Sequence, residues 1–225
     1  MSNLTIYHHL GLGDHIICNG LVREFAKKYD AVSLFCKPQN ADSVRDMYSD
    51  INVELLLGDD DFARQFISLN DRDYLIIGHG QLNETEPFDY QFYKHAGLNF
   101  EKRWDSFFIP ESEKEKELEE LIPLIYGEVD YPNGYAIIHE DERYKIDFNK
   151  INTIPTISIQ KLKGFSLPNW RKIIQNAFEV HVIDSSVMFL VDSLPENGQK
   201  LFIHRYARKN PFWQLPTLKR DWKIL

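Results

Sequence analysis

Residues 7–25 read YHHLGLGDHIICNGLVREF, an apolar run and an amphipathic run joined by Gly11-Leu12-Gly13-Asp14-His15. Upstream, residues 4–10 (LTIYHHL) are rich in β-branched and aromatic side chains and read as a buried strand. Downstream, residues 14–29 set Ile17, Leu21 and Phe25 on one helical face, with Arg23, Lys27 and Lys28 elsewhere. Strand, glycine turn and helix in that order open an α/β unit. What remains is the purpose of the turn: a dinucleotide cradle, a capped helix start, or a place where an aspartate is presented to a substrate.

A dinucleotide fingerprint needs a third glycine where this chain has Ile16, and an acidic residue at the end of the second strand, where SLFCK ends in Lys37. An aspartate directly after Gly13 would also occupy the place of the pyrophosphate charge. A helix start with Asp14 as N-cap is chemically sound, because a carboxylate satisfies free backbone N–H groups. The third reading depends on the rest of the chain.

The strand–helix alternation continues outward. Residues 31–37, 51–58 and 73–80 read as strands, and residues 40–49 and 61–69 as helices between them. Apolar strands separated by helices imply a parallel sheet covered on both faces. Residues 89–110 are dense in aromatics, and residues 111–129 read as a charged helix interrupted by Pro123. After Pro132 the alternation resumes: strands at 134–140, 156–162, 179–186 and 200–208, and helices at 167–178 and 186–194. The expected fold class is α/β, with two Rossmann-like halves facing each other across a cleft. The expected domains are 1–120 and 121–225, with the changeover near residues 110–132.

The bulk composition is consistent with this. The chain has 225 residues, 43% of them hydrophobic, which suffices for a substantial core. A formal net charge of −8 argues against nucleic acid as a partner, since a phosphate backbone requires a basic face. Two cysteines, Cys18 and Cys36, in apolar surroundings suggest reduced thiols in a cytoplasmic protein. The opening MSNLTIYHHL lacks a basic region ahead of a long apolar run, so no signal peptide is expected. No apolar run reaches the ~20 residues that span a bilayer.

The second half repeats the first turn's logic. In HVIDSSVMFLVDSL (181–194) a strand ends in Asp184, and Ser185 and Ser186 open a helix. Hydroxyls and free N–H groups at a helix N-terminus suit an anion, although an N-cap pair without a ligand is an equally ordinary reading. HEDERYK (139–145) follows another strand end and offers His139, Arg143 and Lys145, which suit a diphosphate or else pair with Glu140, Asp141 and Glu142. These candidates fall at the C-terminal ends of strands, where open α/β sheets bind ligands.

The strand–GLGD–helix opening resembles the Gly-Asp turn near the N-terminus of heptosyltransferase-like enzymes of the GT-B fold. IDSSVMFLVDSL (183–194) is similar to the strand–turn–helix near the end of the nucleotide-sugar domain in the same broad group. The HEDERYK loop also resembles the basic diphosphate loop of GT-B fucosyltransferases. The resemblance implies a metal-independent, inverting glycosyltransferase. The N-terminal half would hold a carbohydrate acceptor, and the C-terminal half a nucleotide-sugar donor. Asp14 would be the general base, with His15 as substitute. Gly13, His139, Arg143, Lys145, Lys161, Asp184, Ser185 and Ser186 would hold the donor, and Gly11 and His79 the acceptor. No cofactor beyond the donor is implied.

The remaining candidates are less directional. None of the eight histidines forms an HxxxH or Cys/His cluster, so no metal is expected. His79, between Gly78 and Gly80, falls at a strand end. Tyr90, Phe92, Tyr93 and Trp104 either stack on sugar faces or pack the core. His204, Arg205 and Arg208 either border the donor site or lie beside the last strand. No GxSxG elbow or P-loop appears. A homodimer through the aromatic middle is possible. The alternatives to a transferase are a nucleotide-sugar-binding or assembly protein without catalysis, and an NAD(P)-dependent oxidoreductase or epimerase.

Overall fold

The computed structural model describes residues 2–80, 82–127, 134–151, 154–207 and 214–225. Two compact units, Met1–Pro110 and Glu111–Leu225, each form around one parallel sheet.

The first unit contains β1 (Asn3–Tyr7), β2 (Ala31–Cys36), β3 (Val53–Leu57) and β4 (Asp73–Ile76) in the order β3-β2-β1-β4, all parallel. The central strands are apolar and buried on both faces, whereas the edge strands β3 and β4 are only half covered. Helices α1 (Leu12–Ile17), α2 (Asn19–Ala26), α3 (Ala41–Met47) and α4 (Asp60–Leu69) make the crossovers, and α5 (Phe88–His95) and α6 (Lys102–Asp105) follow β4.

The single helix expected over 14–29 is two helices meeting at Cys18. The cause lies far along the chain. The Tyr93 hydroxyl accepts the Leu21 N–H at 3.2 Å and donates to the Ile17 carbonyl at 2.8 Å. It thus inserts between the two groups that an unbroken helix would bond to each other. Gly20 lets α2 close on α6, since a Cβ there would collide with the Lys102 carbonyl. In the aromatic middle, Phe92 and Tyr93 are fully buried core, and a buried Asp89–Arg103 ion pair ties α5 to α6.

The second unit opens with α7 (Glu113–Tyr126), so the helix containing residue 120 belongs to it whole. Pro123 lies inside α7 and does not interrupt it, and the turn ends at Gly127, whose φ is +79°. Arg171 holds the helix to the unit by bonding both Glu115 carboxylate oxygens at 2.8 Å. Strands β5 (Ala136–His139), β6 (Thr156–Ser158), β7 (Glu179–Val182), β8 (Lys200–Ile203) and β9 (Trp222–Ile224) form a parallel sheet in the order β6-β5-β7-β8-β9. A 3₁₀ turn at Leu167–Trp170 leads into α8 (Arg171–Asn176), and α9 (Ser186–Ser193) follows β7.

Strand β9 was not expected from sequence. Buried Asp192 accepts the backbone N–H groups of Lys219 and Arg220 and the indole N–H of Trp222, and so draws the C-terminal segment onto the sheet edge. Pro132 and Arg208, both used in the sequence reading, lie outside the described residues.

Candidate active site

All strands within each sheet are parallel, so each unit gathers its strand ends at one edge. In the first unit that edge carries the Gly11–Asp14 turn after β1, Lys37 after β2, Asp60 after β3 and His79 after β4.

Helix α1 starts one turn earlier than an Asp14 cap would place it. Gly11 is the N-cap, and Asp14 is the third helical residue. Its carboxylate folds back over the turn, so a Cβ on Gly11 would stand 2.5 Å from Oδ2. Burial pushes the Asp14 carboxyl up to about 7, against opposing pulls from the backbone N–H groups of Asp14 and Gly11 and the charge of Lys37. The residue as a whole is only partly buried. A desolvated carboxyl, half-ionised near neutrality and borne on a partly exposed residue, suits proton transfer. Gly13 lies within α1 beside it. Asn40 steadies the turn by donating to the Leu10 carbonyl at 3.0 Å.

His15 is fully buried, and burial with the neighbouring His8 holds it well below 6.5. Among the described residues neither of its ring nitrogens has a hydrogen-bond partner, and its ring meets His8 edge to face at 4.5 Å. Burial likewise lowers His8 to about 4. Both rings are therefore neutral interior groups at neutral pH.

His79 sits where the sequence placed it, and its surroundings are richer than the sequence showed. Its ring stacks on Tyr7 with centroids 3.9 Å apart. The Tyr7 hydroxyl donates to Asp60 at 2.9 Å, and Lys37 approaches the same carboxylate at 3.6 Å. Burial and Asp60 raise the Tyr7 hydroxyl to about 12. Burial opposes the ionisation of Asp60, but Tyr7, Lys37, His79 and Arg64 together hold its carboxyl below the usual value. Gly78 is required ahead of His79: its φ is +83°, and a Cβ there would press on Phe92 and His9. Tyr7, Lys37 and Asp60 were absent from the sequence candidates. The available signal was their place at strand ends, the one used to select His79.

In the second unit the edge gathers His139 at the end of β5, Asp184 and Ser185 between β7 and α9, and Ser186 as the first residue of α9. Ser185 is the N-cap, yet its hydroxyl makes no capping bond and instead lies 3.1 Å from His139 Nδ1. Burial lowers His139 to about 4, so it is a neutral partner to that hydroxyl. Asp184 is almost wholly buried. Arg143 and Lys145 are exposed and engage their own loop's carboxylates, Arg143 with Asp141 at 3.5 Å and Lys145 with Glu140 at 2.7 Å. Lys161 is exposed beyond the end of β6. His204 is fully buried rather than bordering an open site. Among the described residues no group of three or more His, Cys, Asp or Glu side chains is arranged for a metal ion, and no helix is long and apolar enough to cross a membrane.

No family model and no curated protein matches the chain. Solved structures do. A glycosyl transferase family 9 protein from Veillonella parvula superposes with a TM-score of 0.60 at 11% identity, covering 100% of this chain and 86% of that one. The ADP-heptose lipopolysaccharide heptosyltransferase II of Escherichia coli superposes with a TM-score of 0.59 at 11% identity, covering 100% and 90%. The chain has the GT-B-like fold. Its two parallel sheets thus correspond to the two Rossmann-like halves expected from sequence, and the likeness in fold to these two structures covers the whole chain.

Proposed function

We propose that the protein is a metal-independent, inverting glycosyltransferase that moves a sugar from a nucleotide-sugar donor to a carbohydrate acceptor. The observation that carries this reading is Asp14, a desolvated carboxyl on a partly exposed residue at a strand-end turn, in a chain whose fold is that of two glycosyltransferases. Asp14 takes the proton from the acceptor hydroxyl as that oxygen attacks the anomeric carbon. The bond to the donor's diphosphate breaks on the opposite face, and the nucleoside diphosphate leaves with the electron pair. Inversion follows from this single displacement.

The first unit holds the acceptor at Gly11 and His79, with Tyr7 and Asp60 supporting the His79 ring. The second unit holds the donor. The Ser185 and Ser186 hydroxyls and the N–H groups opening α9 face the growing diphosphate charge, with His139 orienting Ser185. Arg143, Lys145 and Lys161 add positive charge, the first two after exchanging their loop carboxylates for phosphate oxygens.

The test combines a thermal-shift panel with one substitution. Nucleotide sugars and NAD(P) are screened without added metal. A site filled at 100 times its dissociation constant stabilises by ~2.7 kcal/mol, which moves the melting point by a few degrees. Stabilisation by one nucleotide-sugar family, with turnover lost and donor binding kept in Asp14→Asn, supports the proposal. Stabilisation by NAD(P) alone overturns it. Donor binding without turnover in the native protein would indicate a binding protein instead.

A further inference from the structure

The second sheet contains a line of polar side chains that none of the roles above uses. Glu179, fully buried, accepts from the exposed Lys200 Nζ at 3.2 Å. His181, two residues along β7 and so on the same face, has Nε2 3.3 Å from Glu179 Oε2. His181 Nδ1 lies 2.9 Å from His204 Nε2, and His204 Nδ1 lies 2.8 Å from the Tyr206 hydroxyl. That hydroxyl accepts the backbone N–H of Asp147 at 2.8 Å. Phe202 stacks flat on His181 at 4.5 Å.

The hydrogens of this line can be placed from one end. A carboxylate paired with lysine only accepts, so His181 Nε2 must donate to it. Burial lowers the His181 pKa, so the ring is neutral and its Nδ1 is an acceptor. His204 Nε2 must then donate to it, and a neutral His204 ring accepts at Nδ1 from Tyr206 O–H. With both rings neutral, this orientation satisfies each of the bonds named above, and it turns a Tyr206 lone pair toward the Asp147 N–H.

Asp147 belongs to loop 140–151, which follows β5 and carries Arg143 and Lys145. Within the loop, Glu140 accepts the Ile146 N–H at 2.9 Å, and Ile146 packs with Ile138 and Ile183. Tyr206 reaches the loop from the end of β8. We infer that Tyr206, oriented through His204 and His181 by Glu179, is a positioning residue that seats loop 140–151. Its consequence for donor binding rests on the transferase reading; the relay itself does not.

The experiment is a long-range ¹⁵N–¹H spectrum of the full chain, joined to amide exchange at Asp147. His181 and His204 are assigned by replacing each in turn. Both rings are expected as neutral Nε2–H tautomers. Tyr206→Phe removes the acceptor for Asp147 and is expected to speed its amide exchange about fivefold, the factor corresponding to one ordinary hydrogen bond. Glu179→Gln puts a group that both donates and accepts at the head of the line. It is expected to let both rings take up the Nδ1–H form together, a spectroscopic change that lost packing would not produce. A charged ring, an Nδ1–H tautomer in the native chain, rings that respond independently in Glu179→Gln, or unchanged Asp147 exchange in Tyr206→Phe would each overturn the inference. The native and Glu179→Gln spectra decide it if Tyr206→Phe fails to fold. A panel of nucleoside diphosphates then separates the two claims. A several-fold weaker Kd in Tyr206→Phe extends the relay to the donor, whereas no binding by the native protein sinks the transferase reading while the spectrum still judges the relay.

Discussion

Asp14 in the first unit and the Ser185 region in the second sit at strand-end edges under different electrostatic conditions, although the first edge also holds the paired Tyr7, Asp60 and Lys37. In the first unit, burial outweighs the backbone N–H groups and the Lys37 charge that face Asp14 and raises its carboxyl to about 7, and among the described residues the ring nitrogens of adjacent His15 have no hydrogen-bond partner. In the second, charges and hydroxyls are answered by neighbours: Lys145 by Glu140, Arg143 by Asp141, Ser185 by His139. A group that must exchange a proton near neutrality needs an environment that favours neither of its states. A group that must hold a ligand benefits from being placed in advance. Under the proposed transferase reading, Asp14 would be the reactive group and the Ser185 region the donor-holding one.

The largest expected effect tests the reactive side. Asp14→Asn should lower kcat by roughly 10²–10⁴-fold with donor Kd unchanged, as removal of a general base does. In the native protein, the rate should rise with pH through about 7, as Asp14 ionises. Equal loss of turnover and donor binding would erase the contrast between the units.

Next is the clamp on the second unit. Asp192→Ala removes the acceptor for two backbone N–H groups and the Trp222 indole, and should cost about 3 kcal/mol in a urea titration. Residues 219–225 should become protease-sensitive at the same time. An unchanged midpoint would mean that strand β9 holds the sheet edge unaided.

A smaller effect is expected where the first unit is bent. Tyr93→Phe strands the Leu21 N–H and the Ile17 carbonyl, and should cost about 1–2 kcal/mol in the same titration. Because α1 carries Asp14, kcat should fall as well. Loss of stability without loss of rate would show that the bend is not needed to aim the carboxyl.

Comparable in size is the pH dependence of stability. The Asp14 pKa in the folded protein lies above the ordinary 3.8, so its contribution is intact below about pH 4 and declines as pH rises toward 7. Melting curves of Asp14→Asn should show a gain over the native protein of about 1–2 kcal/mol at pH 8, discounted for the partial solvent access, and none near pH 4. The smallest effect belongs to Arg143→Ala and Lys145→Ala, whose exposed ion pairs add little. Their melting points should be unchanged while donor Kd weakens several-fold and more steeply at low salt.

Much of this arrangement was legible in local pattern. The alternation of apolar strands with amphipathic helices is written residue by residue, and so the two parallel sheets were too. The strand ends carrying Asp14, His79, His139 and Ser185 followed from the same periodicity. What the sequence could not supply were contacts between distant residues. Tyr93 breaks a helix 72 residues away, at Leu21, and Asp192 recruits a strand 30 residues on, at Trp222. Tyr7 joins His79 to Asp60, and Glu179 sets the tautomers that reach Tyr206. A hydrogen bond depends on a separation of about 3 Å and a direction, and folding alone sets both for residues far apart in the chain. Local periodicity therefore determined the elements and their order, and tertiary structure decided where they bend, what they recruit and which protons they hold.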